Sequence, residues 1–557
     1  VEGRDLRTGK VVARMGNDLD YFVPGMGHHR CYRNKATERF LLTGRSGIEF
    51  IEPSTGRKIA HHWVRGTCQY GVMPANGLII APLHSCACHV TGKLTGMNAL
   101  AARSEYPSEP EAHEARLEKG PAFGKDRKPT TEGDWPLYRK DARRSGVSAV
   151  SVRPGVRVKW CAEVGKSITP PIVAGGTVFC ADKDGHTVAA LSNQDGALAW
   201  QFVAEGRVDS PPSYDRGRLV FGSSSGYVYC LDAATGAMAW RFRAAPTTAQ
   251  IVSRGQLESL WPVPGSVLIR DNRAYLAAGR SSFLDGGILL YALDVATGKV
   301  VASRRFDSLD PRSGEQPKDI VLGFNYDPAR VALPDILSAD GDDLFMRQLR
   351  FDPSLASREL DKKHLYSSAG LLDDTWWHRT YWQYGTTMGA GYHGWHLSGN
   401  ETPAGRILVF DEQHVYGYGR KIYDKSQGGH LSEVGPGYHL FCEPMNPPRQ
   451  AAPRKPAQQK PSKNQPTFNR SFRWSVSTEA PVVAMVLTNE VLYVATTPKP
   501  WTKEAASGQL IAVDPKSGKV LRELPLPAAP VFDGMAAATD GLYIALRGGR
   551  IVCLTSP

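Results

Sequence analysis

A phrase that returns every 40 residues constrains this chain more than any other feature. Gly185-His-Thr-Val-Ala-Ala-Leu191 is followed by a turn ending at Gly196 and then by Trp200. Forty residues on come Gly226-Tyr-Val-Tyr-Cys-Leu231, Asp232-Ala-Ala-Thr-Gly236 and Trp240. The phrase returns at Gly287–Gly298 and Gly508–Gly518, and more loosely at Gly47–Gly56 and Asp5–Gly9. A short apolar or alternating run makes a strand. Asp-x-x-Thr-Gly makes a tight turn, in which the Asp side chain accepts from backbone N–H groups and Gly supplies a positive φ. A second strand follows, often carrying Trp. Upstream runs such as Gly176-Thr-Val-Phe-Cys-Ala add a further strand. Each unit is a small antiparallel sheet that cannot bury both faces alone, so units must stack. About four strands every 40 residues is a propeller blade.

The expected fold is therefore all-β, a single β-propeller over residues 1–557 with about eight four-stranded blades. The C-terminal Gly549-Arg-Ile-Val-Cys-Leu554 reads as the strand before an Asp-x-x-Thr-Gly turn. Asp5-Leu-Arg-Thr-Gly9-Lys-Val-Val reads as that turn and the next strand. Pairing of the N- and C-terminal strands would complete one blade and remove an exposed edge. Three segments interrupt the pattern. Residues 104–134 are polar and Pro-rich, an expected long loop; 354–404 is an aromatic-rich insertion; 446–470 is of low complexity and expected to be disordered.

The units resemble the PQQ-like repeat of quinoprotein dehydrogenases and of outer-membrane assembly propellers, and Trp135-Pro-Leu-Tyr-Arg-Lys-Asp-Ala-Arg-Arg-Ser-Gly146 resembles the opening phrase of such repeats. The resemblance implies a periplasmic or secreted protein. It also implies parts that are missing here. Quinone dehydrogenases of this fold carry a disulfide between adjacent cysteines against the cofactor, and this sequence has no Cys-Cys. Haem-bearing members carry Cys-x-x-Cys-His, and Cys86-Ala-Cys88-His89 is one residue short. The family's calcium ligands have no clear counterparts. Bound PQQ is therefore not expected; the cofactor is open, with zinc or calcium as candidates.

Bulk properties exclude some classes. No apolar run is long enough for a membrane helix. The net charge is +12, part of it in Arg449, Arg454, Lys455, Lys460 and Lys463. No basic helix or aromatic platform accompanies it, so a solvated basic surface is expected, without a nucleic-acid partner. Val1 to Gly9 reads as the interior of a repeat with no signal peptide before it, as expected of a piece of a longer precursor.

Three clusters could carry chemistry. The first is Gly27-His28-His29-Arg30-Cys31-Tyr32-Arg33-Asn34-Lys35. The second is His61-His62-Trp63-Val64-Arg65-Gly66-Thr67-Cys68-Gln69-Tyr70, with His84-Ser85-Cys86-Ala87-Cys88-His89 in the next strand pair. The third is Asp373-Asp374-Thr375-Trp376-Trp377-His378-Arg379-Thr380-Tyr381. Loops of neighbouring blades converge on one end of the channel, so these residues could share a site. So many cations call for an anion, and aromatic faces suit sugar rings. The expected ligand is an anionic carbohydrate. His28, Arg30, Arg33, His62, Arg65, Tyr70 and His84 would bind it, with Trp377 and Arg379 in a wall or lid. His29, Tyr32, His378 and Tyr381 are candidates for the base of a polysaccharide lyase, which takes the proton beside a uronate carboxylate. Cys31, Cys68, Cys86 and Cys88 could hold a metal or form disulfides; the odd total of nine cysteines leaves at least one over if the rest pair. Cys180, Cys230 and Cys553 fall in strands as core residues. The competing readings are a protein-interaction scaffold and a true quinone dehydrogenase.

Overall fold

The computed structural model describes residues 2–14, 33–44, 47–83, 91–102, 112–125, 131–317, 320–322, 325–327, 329–373, 381–386, 402–421, 438–446, 470–478, 480–498, 507–539 and 541–556. Apart from one short 3-10 turn, Glu114–Arg116, its regular elements are strands. No helix among them is long and apolar enough to cross a membrane.

Eight antiparallel sheets of three or more strands, A to H, follow one another from residue 172 onward among the described residues, with two-strand hairpins at 250–259 and 321–326 between them. Sheets A (Ile172–Ala174 to Leu198–Val203), B (Ser213–Asp215 to Met238–Arg243), C (Leu268–Arg270 to Val300–Phe306) and D (Ser338–Asp340 to Ser357–Arg358) are four-strand meanders. Sheet E has three described strands, His364–Ser367, Trp382–Gly385 and Ala404–Gly405. Sheets F (Ile407–Phe410 to Trp474–Ser477) and G (Val482–Leu487 to Val520–Pro525) again have four. Sheet H has Pro530–Ala538, Gly541–Leu546 and Arg550–Thr555. The first strands of F, G, H, A, B and C lie side by side in that order, which puts first strands innermost. Sheets C and D share one apolar core, E and F another, and the Phe345 ring of D stacks on His364 of E at 4.2 Å. This is the propeller arrangement, with the segment 354–404 supplying blade strands rather than a free insertion.

The fourth strand of sheet H corrects one expectation. Val11–Arg14 does not complete the last sheet; it pairs with Glu2–Arg4. The partner of Arg550–Thr555 is Arg157–Glu163. The reason is side-chain chemistry. This strand carries Trp160, and in four places the fourth-strand Trp docks on the turn glycine of the following sheet. The Nε1 of Trp160, Trp200, Trp240 and Trp474 donates to the carbonyls of Asn193, Ala233, Val295 and Pro515, at 3.0, 3.0, 3.0 and 2.8 Å. A Cβ on Gly236 would stand 2.7 Å from the Trp200 ring, and its φ is +71°. The turn itself is as the sequence implies: Asp232 Oδ1 accepts from Thr235 N at 3.0 Å and Oγ1 at 2.8 Å. Val-Val-Ala-Arg has no Trp to dock.

Residues 134–150 form no sheet. They cross the inner strands. Trp135 N donates to Val173 O, Tyr214 N to Pro136 O, Ala339 N to Ala142 O, Phe410 N to Ser145 O and Ser148 N to Leu487 O, at 2.6 to 3.1 Å. First strands of A, B, D, F and G are thus tied to one segment. Arg139 and Arg144, both buried, project from it.

The polar stretch 104–134 is not all loop. Leu117–Lys119 adds a fifth strand to the outer edge of sheet B, where Glu118 meets Arg241 at 2.9 Å. An open edge is covered in this way. The low-complexity stretch 446–470 lies almost entirely outside the described residues. Ahead of the ring stand a four-strand sheet, Lys35–Ala36 to Lys58–His61, and a three-strand sheet, Met73–Ala75 to Asn98–Leu100, with a separate small core around Leu42, Ile48 and Val64.

Candidate functional site

A cleft of about 2980 Å³ lies between these N-terminal sheets and one end of the ring. One wall is the sheet face that carries Phe40, Phe50, His61 and Trp63. Their rings contact in sequence, with centroids 5.6, 5.2 and 5.9 Å apart. Alternation along the strands puts such residues on one face. Burial lowers the pKa of His61, so its imidazole is neutral near pH 7.

The facing wall comes from loops at the ends of sheets A to E and from the end of the strand Val300–Phe306. It supplies Arg207, Arg280, Arg305 and Arg347, while the hairpin Gln250–Ser253/Gln256–Ser259 adds Arg254 and Glu258. Five arginines face three lining carboxylates, Asp209, Glu258 and Asp285. Arg280 Nη2 is 2.5 Å from Asp285 Oδ2, and its Nε donates to Leu260 O at 3.3 Å. Arg347 is buried on the floor, donating to Ser368 O and Ala369 O at 3.1 and 3.0 Å, with Asp335 at 3.8 Å. Asp335 is held above the ordinary carboxylate range by burial, which outweighs the attraction of Arg347. The hairpin is fixed to sheet A by a 2.7 Å hydrogen bond between Gln256 Oε1 and His186 Nε2.

Of the residues expected from sequence, only some are described. His28, His29, Arg30, Cys31, Tyr32, His84, Cys86, Cys88, Trp377, His378 and Arg379 lie outside the described residues. Arg33 is exposed and Tyr70 is 68% exposed. His62 packs against Phe283 of the ring at 6.0 Å, and Arg65 is buried. Tyr381 is buried against Ala404, which removes it from any lid. None of these five lines the cleft. Cys68 is half-buried, and among the described residues no three His, Cys, Asp or Glu side chains come together to hold a metal. Cys180, Cys230 and Cys553 are core residues, as their strands imply, and burial pushes the Cys180 thiol up to about 12.

The residues the sequence did not announce are Phe40, Phe50, Arg207, Arg254, Glu258, Arg280 and Arg347. One signal was present. Leu191 to Leu231 is 40 residues, whereas Leu231 to the matching Leu293 is 62, and the surplus contains the hairpin that walls the cleft.

The sequence profile of the family described as outer membrane protein assembly factor BamB matches residues 138–201 and 184–308. Residues 138–308 of the propeller thus carry repeats of the PQQ-like type. No curated protein sequence matches the chain. Among solved structures, a europium-containing methanol dehydrogenase aligns at 12% identity, covering 76% of this chain and 98% of that one, with a TM-score of 0.47. The quinohemoprotein alcohol dehydrogenase of Comamonas testosteroni aligns at 13% identity over 76% and 80%, TM-score 0.45. BamB from Moraxella catarrhalis aligns at 12% over 79% and 98%, TM-score 0.31. Likeness this distant says nothing about what the propeller binds or whether it is an enzyme.

Proposed function

We propose that this propeller binds an extended anionic carbohydrate in the cleft, in a periplasmic or secreted setting. The observation that carries the reading is the pairing of an aromatic strip, Phe40, Phe50, His61 and Trp63, with a wall of five arginines across about 2980 Å³. Pockets for one small molecule span roughly 300–1,000 Å³, so this one suits a chain of several units. Aromatic faces stack on sugar rings, and guanidinium groups meet carboxylate or sulfate. His61, neutral and in the wall, is the described residue best suited to take a proton, which keeps the lyase form of the reading open.

The reading leaves out a quinone. The sequence has no Cys-Cys pair and no clear counterparts of the family's calcium ligands, and the segment 134–150 crosses the inner strands with two buried arginines.

The test is calorimetric titration with uronate-rich and neutral oligosaccharides of equal length at two salt concentrations, with the products examined for chain shortening. Tighter binding of the uronate chain that weakens with salt supports the reading. Equal binding of both, or none, overturns it. The match of 138–308 to an assembly-factor family favours a second reading, docking of a polypeptide, which the absence of glycan binding would promote.

A further inference from the structure

Three buried polar atoms in one corner of the cleft wall have no hydrogen-bond partner among the described residues: Arg207 Nε, Ser224 Oγ and Glu258 Oε1. They come from two loops and the hairpin strand Gln256–Ser259, and are gathered by the backbone. Ser224 N donates to Arg207 O at 2.8 Å, and Ser259 N donates to Ser224 O at 2.9 Å. All three residues line the cleft. Glu258 is 7% exposed. Its Oε1 stands 3.8 Å from Arg207 Nε, an ion pair longer than a hydrogen bond. Buried polar atoms without partners are uncommon, and three together mark a place where something else completes the bonding.

Their chemistry defines that something. Arg207 Nε–H only donates, an ionised Glu258 only accepts, and Ser224 Oγ–H does both. Asp184 also pairs with Arg207, so the corner holds one cation against two carboxylates. A carboxylate or sulfate, which only accepts, would face Glu258 with like charge. A hydroxyl both donates and accepts, and two adjacent hydroxyls satisfy all three atoms.

We propose that Arg207, Ser224 and Glu258 form a subsite for a pair of adjacent hydroxyls on a sugar ring. The proposal rests on the reading of the cleft as a glycan site. It assigns hydroxyl recognition to this corner and charge recognition to Arg254, Arg280, Arg305 and Arg347. The three atoms are screened from solvent in the unliganded cleft, so binding requires the Arg207, Ser224 and Glu258 side chains to turn toward the ligand.

The experiment is calorimetric titration of a uronate oligosaccharide, and of its copy with O-methylated ring hydroxyls, into wild type, Ser224→Ala and Glu258→Gln. Ser224→Ala deletes a hydroxyl with no hydrogen-bond partner among the described residues. Its melting temperature should therefore match wild type, and any loss of affinity is a lost ligand contact. We expect each variant to bind the native oligosaccharide about 5- to 10-fold more weakly, and the methylated copy to bind wild type with a similar loss and the variants with little further loss. Native oligosaccharide bound equally by wild type and both variants would mean that ordered water fills the corner; that overturns the subsite and leaves the cleft reading standing. No oligosaccharide bound by wild type overturns both.

Discussion

Arg139 and Asp533 are 394 residues apart in sequence, yet Arg139 Nη1 lies 2.7 Å from Asp533 Oδ1, with both side chains under 5% exposed. Arg139 also donates through Nε to Arg144 O at 2.8 Å and lies over the Trp382 ring at 4.6 Å. The pair ties the segment inside the ring to sheet H. Removing one member of a buried pair leaves the other charge uncompensated, at a cost of about 3–5 kcal/mol. Asp533→Ala should lower unfolding stability by that amount in urea titrations. Asp533→Asn should cost less, because Asn keeps an acceptor oxygen and tolerates the φ of +52° found here. A change below about 1 kcal/mol for the alanine variant would mean that the pair does not hold the segment.

The Trp–Gly contacts between sheets separate two effects. Trp200→Phe keeps a ring on Gly236 and loses the bond to Ala233 O, and should cost about 1 kcal/mol. Gly236→Ala drives a Cβ into that ring at a φ of +71° and should cost more, on the order of 2 kcal/mol or above. Chemical denaturation midpoints of the two variants give the order, and a reversed order refutes the packing argument.

The same residues show how far the sequence could be read. Gly196, Gly236, Trp200 and Trp240 were visible as a 40-residue register, and the Asp-x-x-Thr-Gly turn was legible from its own chemistry. That Trp200 sits on Gly236 was not legible, because a repeat conserves a contact between units without saying which unit touches which. The closing strand Arg157–Glu163 was missed for a related reason: no Asp-x-x-Thr-Gly turn precedes it, and Trp160 is its one mark. The cleft was harder still. Arg207, Arg280 and Arg347 come from inter-strand loops outside the repeating phrase, and Phe40, Phe50 and Trp63 look in sequence like ordinary core residues of a strand. The denser cluster of His, Arg and Cys in the sequence is 27–35, most of which lies outside the described residues.

His364 predicts how stability depends on pH. It is buried between Phe345 and the Arg347 carbonyl, which lies 2.6 Å from Nε2, and burial lowers its pKa to about 4. The unfolded chain binds the proton near pH 6.5, the folded chain only near 4. Stability is therefore full above about 6.5 and is lost as pH falls toward 4. Between those values the loss is on the order of 3 kcal/mol. His439, lowered to about 3 by burial first and Arg470 second, adds in the same direction. Urea unfolding at several pH values should show the decline, and His364→Gln should flatten it. An unchanged slope in that variant would place the pH dependence elsewhere.

Arg254 gives the last prediction. It sits at the tip of the hairpin that walls the cleft, with φ +51°, followed by Gly255 at +76°. Two positive φ values in a two-residue loop match the twist of the strands and make the tip stiff. The Gln256–His186 bond holds the hairpin to sheet A. Arg254 is exposed, so its attraction for an anion is screened by salt. Arg254→Gly relieves the backbone and removes the charge, so the fold should persist while affinity falls. A uronate oligosaccharide should bind this variant about 2- to 5-fold more weakly in low salt, as expected for loss of one exposed ionic contact of up to about 1 kcal/mol. The difference should shrink in high salt, and a neutral oligosaccharide should bind both proteins alike. An equal loss for the neutral chain would show that the hairpin contributes shape rather than charge, and the assignment of charge recognition to Arg254 would fall.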